Sequence, residues 1–385
     1  MTTIMLRWER PALVAGIAGL LISVLGAWLD LEQFYRSYLL SYTFWFAIAL
    51  GSLPLVMLHH LVGGRWGFVS RRILEAATRT LPLMALLFVP VLLGIHHLYE
   101  WSHADVVAQD AILKHKSSYL NVTFFVIRAV GYFLIWSLLQ WVLNRWSSEQ
   151  DQTREPGKMA ALMRRFQMLS GPGIIVYALT ISFASTDWIM SLEPHWFSTI
   201  YGLMFMIGQM LTALAFAIAV LATIAQKPPI AGRLKPETLH DLGNLLFALL
   251  MVWAYLSFSQ FLIIWSGNLP EEIPWYVRRS AGGWQWMAAF LAVFHFAIPF
   301  VLLMLRRNKR RKNTLAVIAI SVVLMRFVDL TWLIVPAHET SVHIHWLDIL
   351  TFISIGGLWL AAFARQLRTR PVLPLNDPEF GLEEA

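Results

Sequence analysis

Ten long apolar runs, each separated from the next by a short polar or charged segment, dominate this chain. They fall near residues 11–29, 37–61, 79–98, 120–144, 170–189, 197–225, 242–265, 284–305, 314–335 and 347–365. A helix rises about 1.5 Å per residue, so roughly 20 apolar residues cross the hydrocarbon of a bilayer. Within lipid each backbone N–H and C=O must be satisfied inside the segment, which makes helices the spanning structure for runs of this length. The pattern predicts an all-α polytopic membrane protein of about ten transmembrane helices. Runs 2–5 and 6–9 enter the membrane with the same sense. They form two candidate four-helix bundles, flanked by runs 1 and 10, although the halves share no clear sequence identity. Residues 1–370 read as one transmembrane domain. Residues 371–385, Pro-containing and then acidic, read as an extended C-terminal tail. The first run follows Arg7 and Arg10, as a signal peptide would. It is long, however, and no A-x-A cleavage site follows, so it reads as a retained helix.

Composition agrees with lipid as the solvent. Hydrophobic residues make up 58% and charged residues 14% of the chain, against about 25% charged in soluble domains. The 18 Trp and 24 Phe suit membrane interfaces and interhelical packing. The net charge of +7 lies mostly on one side. Arg65, Arg71, Arg72 and Arg79 fall between runs 2 and 3, and Arg306, Arg307, Lys309, Arg310, Arg311 and Lys312 between runs 8 and 9. The opposite loops hold Arg36, Lys114, Lys116, Arg278 and Arg279. The bias of cytoplasmic loops toward Lys and Arg therefore predicts both termini in the cytoplasm of a bacterial inner membrane. The chain has no Cys. That excludes thiolate iron–sulfur ligation, c-type haem attachment, Cys zinc sites and disulfides within it.

Ionisable groups inside a bilayer are costly and point to function by default. Arg128, Arg326 and Asp329 fall in one layer of the outer half, roughly 9–14 Å below the outer helix ends at 1.5 Å per residue. Arg326 and Asp329 are spaced to share a helix face, and Gln260 joins them from run 7. His295 lies near mid-membrane. The plainer alternative is that Arg326 pairs with Asp329, Arg128 finds carbonyls or another carboxylate, and the set only fixes packing. His59 and His60 sit at the cytoplasmic end and His96 and His97 at the outer end. None matches His295 in depth, so no pair is placed for a b-type haem. The cytoplasmic half reads as too apolar for a complete proton conduit. The outer loops repeat carboxylate, His and Trp together: Asp187, Glu193 and His195; Glu271, Glu272 and Trp275; and the stretch HETSVHIHWLD at 338–348. A carboxylate beside a histidine suits proton acceptance near neutral pH. The alternate His343 and His345 are a weak metal pattern, and no metal is assigned.

The runs SFASTDWIMSLEPHWFSTIYG (182–202) and WAYLSFSQFLIIWSGNLPEEIPWYVRR (253–279) are long and chemically distinctive. With GGWQW (282–286), LMRFVDLTWLIVPA (324–337) and KSSYLNVTFFVIRAVGYFLIW (116–136), they resemble the ActF subunit of alternative complex III, a quinol:cytochrome c oxidoreductase. That subunit is related to NrfD-type membrane anchors, and the resemblance covers runs 2 through 10. It implies ten spans and a multi-subunit respiratory complex. Its partners would include a larger NrfD-like subunit, a multihaem cytochrome c and an iron–sulfur protein that carry the hemes c and clusters. No covalently bound cofactor is implied on this chain, and quinone or quinol is its candidate small ligand. The motifs place Asp187, Glu193, His195, Glu271, Glu272, Trp275, Arg326 and Asp329 in the family pattern without fixing a role for any of them. Quinol contact, proton transfer through a half-channel, and assembly as a pure scaffold all remain open.

Overall fold

In the computed structural model, residues 2–374, 376 and 377 are described, with side chains from Trp8 onward. Most of the acidic tail lies outside the described residues. All regular structure among them is helical, and ten helices are long and apolar enough to cross a membrane. In chain order they are α1 (Trp8–Ala27), α2 (Leu31–Val62), α3 (Arg65–Leu93), α4 (Val122–Gln152), α5 (Pro156–Leu192), α6 (Tyr201–Ile224), α7 (Pro236–Gly267), α8 (Trp284–Met304), α9 (Lys312–Ala337) and α10 (Trp346–Arg368). An even number of crossings puts both ends of the chain on one side, and Arg368 pairs with Glu9 at 3.1 Å there. We call this the termini end, and the other the far end.

Helices α2–α5 close into a ring of neighbours, as do α6–α9. The rings meet where α6 packs along α2 and α5. This seam explains why α2 is buried through its whole membrane window, and why its apolar residues show no preferred face. α10 covers α2, and α1 lies against α10. That last contact is close because it is built from small residues. A Cβ on Gly16 would lie 2.5 Å from the backbone nitrogen of Leu358, and one on Gly357 would lie 2.5 Å from the carbonyl oxygen of Ala12.

The third span differs from expectation. It begins at Arg65 instead of near residue 79 and ends at Leu93. Pro82 and Pro90 each sit at the start of a new helical stretch, which breaks α3 into three pieces. Arg71 and Arg72, expected in a loop, lie in the first piece and are buried. Hydropathy counts each guanidinium as a cost, but here acidic and amide partners cancel it. The tail begins by packing back on the helices: Val372 and Leu373 are buried, and Arg370 donates to the Asn144 carbonyl at 2.9 Å.

Candidate functional site

α8 presents Ala288, Ala289 and Ala292 toward α7, and the missing side-chain volume leaves a cavity of about 820 Å³. Its α7 wall is aromatic, formed by Trp253, Tyr255, Phe258, Phe261 and Trp265. Tyr276, Arg279 and Trp332 close it at the far end, and Asp329 stands on the α9 wall. Tyr255 is 68% and Phe258 63% exposed, so the cavity opens sideways between helices, toward lipid. Its volume lies in the range of small-molecule sites, which are mostly apolar with few polar groups.

Arg279, only 2% exposed, organises the roof. Its guanidinium lies 3.5 Å from the Trp275 ring centre. It donates to the carbonyls of Trp275 (3.1 Å), Trp332 (3.1 Å) and Leu333 (2.9 Å), and pairs with Glu193 at 2.8 Å. One side chain thus ties the short helix Pro274–Arg278, the end of α9 and the segment after α5. Burial lowers the Arg279 pKa and the Glu193 carboxylate opposes that. Burial raises the Tyr276 hydroxyl to about 12. Gln260 supports the roof from behind, accepting from Ser198 at 3.0 Å and donating to the Tyr276 hydroxyl at 3.4 Å. The sequence reading counted Arg279 only as loop charge. Its place between Trp275 and a carboxylate-rich outer face was the available signal.

Deeper in the second ring, Arg326 pairs with Asp329 one turn along α9 and reaches the Thr212 hydroxyl at 3.4 Å. Gly208 makes room for the guanidinium: a Cβ there would lie 2.2 Å from an Arg326 nitrogen. His295 is 0% exposed, and neither ring nitrogen has a hydrogen-bond partner among the described residues. It sits in a π-helical stretch, Leu291–Ala297, edge-on to Trp253 with ring centres 4.2 Å apart.

The first ring treats its polar pair differently. Arg128 holds Asp187 through two bonds of 2.8 and 2.9 Å, and the Tyr132 hydroxyl donates to the same carboxylate at 2.9 Å. Arg128 also donates to the Tyr119 carbonyl and lies 3.9 Å from the Tyr119 ring centre. Both partners foreseen for Arg128, a carbonyl and a carboxylate, are therefore present. His195 faces away from this cluster and donates to Asp110 at 2.6 Å. The Leu113 N–H and then His195 lower the Asp110 pKa. Glu271 and Glu272 join neither cluster and make no side-chain hydrogen bond among the described residues. His343 and His345 lie 6.0 Å apart between ring centres, and no group of three metal-ligating side chains forms among the described residues.

The termini end holds a second buried polar centre, which the sequence reading missed. Glu75 accepts from Arg71 at 2.8 Å and Arg72 at 2.9 Å, and from Ser147 at 2.7 Å. Asp151 pairs with Arg72, and Asp377 of the tail pairs with Arg71 at 3.2 Å. The spacing of Glu75 three and four residues after the arginines was the visible clue. His60 meets Ser170 at 3.3 Å nearby, and both nitrogens of His59 lack partners among the described residues.

In sum, Glu193, Trp275 and Gln260 support the cavity roof from behind, and Asp329 stands on the inner wall with Arg326 and His295 behind it. Arg128 and Asp187 form a separate pair in the other ring. The chain is an integral membrane protein by its ten spans. Compared with models of known protein families and with curated proteins, it matches none.

Proposed function

We propose that this chain is a membrane subunit of a respiratory quinol-oxidising complex of the alternative complex III type, resembling ActF. It would lie in a bacterial inner membrane with both termini cytoplasmic, so that the far end faces outward. The observation that carries this reading is the lipid-open, aromatic-walled cavity between α7, α8 and α9, with a carboxylate on its inner wall. A lipid-soluble quinol enters from the side, its ring held between aromatic faces. Oxidation releases two protons and two electrons. Asp329 is the proton acceptor within reach, taking the two protons in turn and passing the first outward before it receives the second, and Arg326 holds its carboxylate in place. The roof tied by Arg279 excludes bulk water. Electrons leave to redox centres on partner subunits, since a chain without Cys offers no thiolate ligand.

The test is Asp329→Asn in the assembled complex, with quinol:cytochrome c turnover as readout. Loss of a proton acceptor lowers turnover by about 10²-fold or more. Unchanged turnover removes Asp329 from the mechanism.

A second reading is proton transfer without quinone chemistry. Interhelical polar contacts favour it: Tyr177 donates to Gln209 across the seam at 3.0 Å, and within the rings Arg326 reaches Thr212 at 3.4 Å and His60 meets Ser170. The termini end is thus less apolar than its hydropathy implies. This reading predicts that Tyr177→Phe slows proton uptake and leaves quinone affinity unchanged. A pure scaffold predicts normal turnover in every variant that assembles.

A further inference from the structure

Among the candidate residues, His295 alone has buried polar atoms without a hydrogen-bond partner among the described residues. Burying an imidazole with no hydrogen-bond partner costs about 1–3 kcal/mol, a cost that some other buried side chains avoid. The Trp136 indole donates to Thr180 at 2.8 Å, and Tyr177 donates to Gln209. The π-helical stretch around His295 places Leu291, Ala292 and Phe296 on the cavity wall and turns the imidazole into the protein. Such stretches recur at functional sites. A single indole separates ring and cavity: Trp253 packs edge-on to His295 and is itself a cavity wall. The open volume beside it, bounded by Ala254, Ala288 and Ala289, is where the indole can swing.

We propose that His295 is the hidden polar terminus of this cavity. A flat, lipid-soluble ring bearing oxygen substituents displaces the Trp253 indole and hydrogen-bonds the imidazole, meeting Asp329 on the way. The inference rests on the quinone reading above and extends it by naming the group that receives the ring oxygen. A phospholipid head does not fit as well. It would need a free cation, and Arg279 is committed to Glu193 and three carbonyls, Arg326 to Asp329 and Thr212.

The test uses the full chain, or its complex, in nanodiscs with a decyl-benzoquinone that carries a photoreactive azide on the ring. Label is expected on Trp253 or within residues 291–297. Label confined to the mouth, at Tyr255 or Phe258, overturns this inference and leaves the cavity as a quinone site. Absence of label from every cavity-lining residue overturns both. Binding isotherms give the second arm. Ala292→Phe fills the cavity and abolishes binding. His295→Leu, which removes a buried polar group and so keeps the fold, weakens quinone binding about tenfold, the worth of one hydrogen bond. It leaves binding of decylbenzene, which has no oxygens, unchanged. His295→Gln restores most of the quinone affinity. Wild-type affinity in His295→Leu overturns the assignment.

Discussion

The two four-helix rings solve the same problem, an arginine and an aspartate inside the membrane, in opposite ways. In the α2–α5 ring the pair is interhelical. Arg128 on α4 grips Asp187 on α5 through two bonds, and Tyr132 caps the same carboxylate, which is 0% exposed. In the α6–α9 ring both charges sit on α9, and the neighbouring His295 finds no hydrogen-bond partner among the described residues. An interhelical pair clamps two helices and uses up its own bonding capacity. An intrahelical pair leaves helix–helix contact to other residues, and here alanines on α8 leave that contact open. The first arrangement suits a rigid frame and the second a site.

The contrast predicts its largest stability effect in the first ring. Asp187→Ala strands the Arg128 charge and is expected to cost about 3–5 kcal/mol, read as a lower thermal midpoint in detergent. Arg128→Met with Asp187→Leu recovers most of the loss, as expected for a pair whose task is packing. If the double variant folds well and still abolishes turnover, the division between frame and site fails. In the second ring, Gly208→Ala drives a methyl group into the Arg326 guanidinium and costs about 1–3 kcal/mol. Gly131→Ala, where a Cβ meets nothing within 4 Å, is the control and leaves the midpoint within about 0.5 kcal/mol.

Where the rings join at the far end, His338 lies against α2, near Arg36 and Arg278. Burial first, then those two cations, lowers its pKa to about 4. The unfolded chain takes up that proton near pH 6.5, but the folded chain does not until about pH 4. Stability from this group is therefore complete above pH 6.5 and declines as pH falls toward 4, by roughly 3 kcal/mol in total. Thermal midpoints across pH 4–7 check this, and His338→Gln flattens the slope. Asp110 acts in a lower window, because its pKa is depressed and its contribution is lost only as pH falls from the usual carboxylate value toward the lower folded one. The smallest effect is expected at the termini end. Asp377→Ala removes one partner of Arg71, which keeps Glu75 and Gln150, and costs about 1–2 kcal/mol.

Much of this was legible beforehand, residue by residue. Arg128, Arg326 and Asp329 stood out because each interrupts an apolar run, and the i, i+3 spacing of the last two announced their pairing. The partner of Arg128 was not legible, since Asp187 lies on a different helix and nothing in local spacing links them. Arg71 and Arg72 were misplaced for a related reason. A hydropathy sum treats each charge alone, and their neutralisation by Glu75, Asp151 and Asp377 is a property of three dimensions.

The order of residues settled how many helices cross the bilayer and which charges they carry, because apolar length against bilayer thickness is a local condition that each segment meets alone. Which helices touch, where alanines leave a cavity, and whether a buried charge is clamped or waiting depended on the fold. Those are relations between segments far apart in the chain, fixed when helices of given shape pack together in lipid.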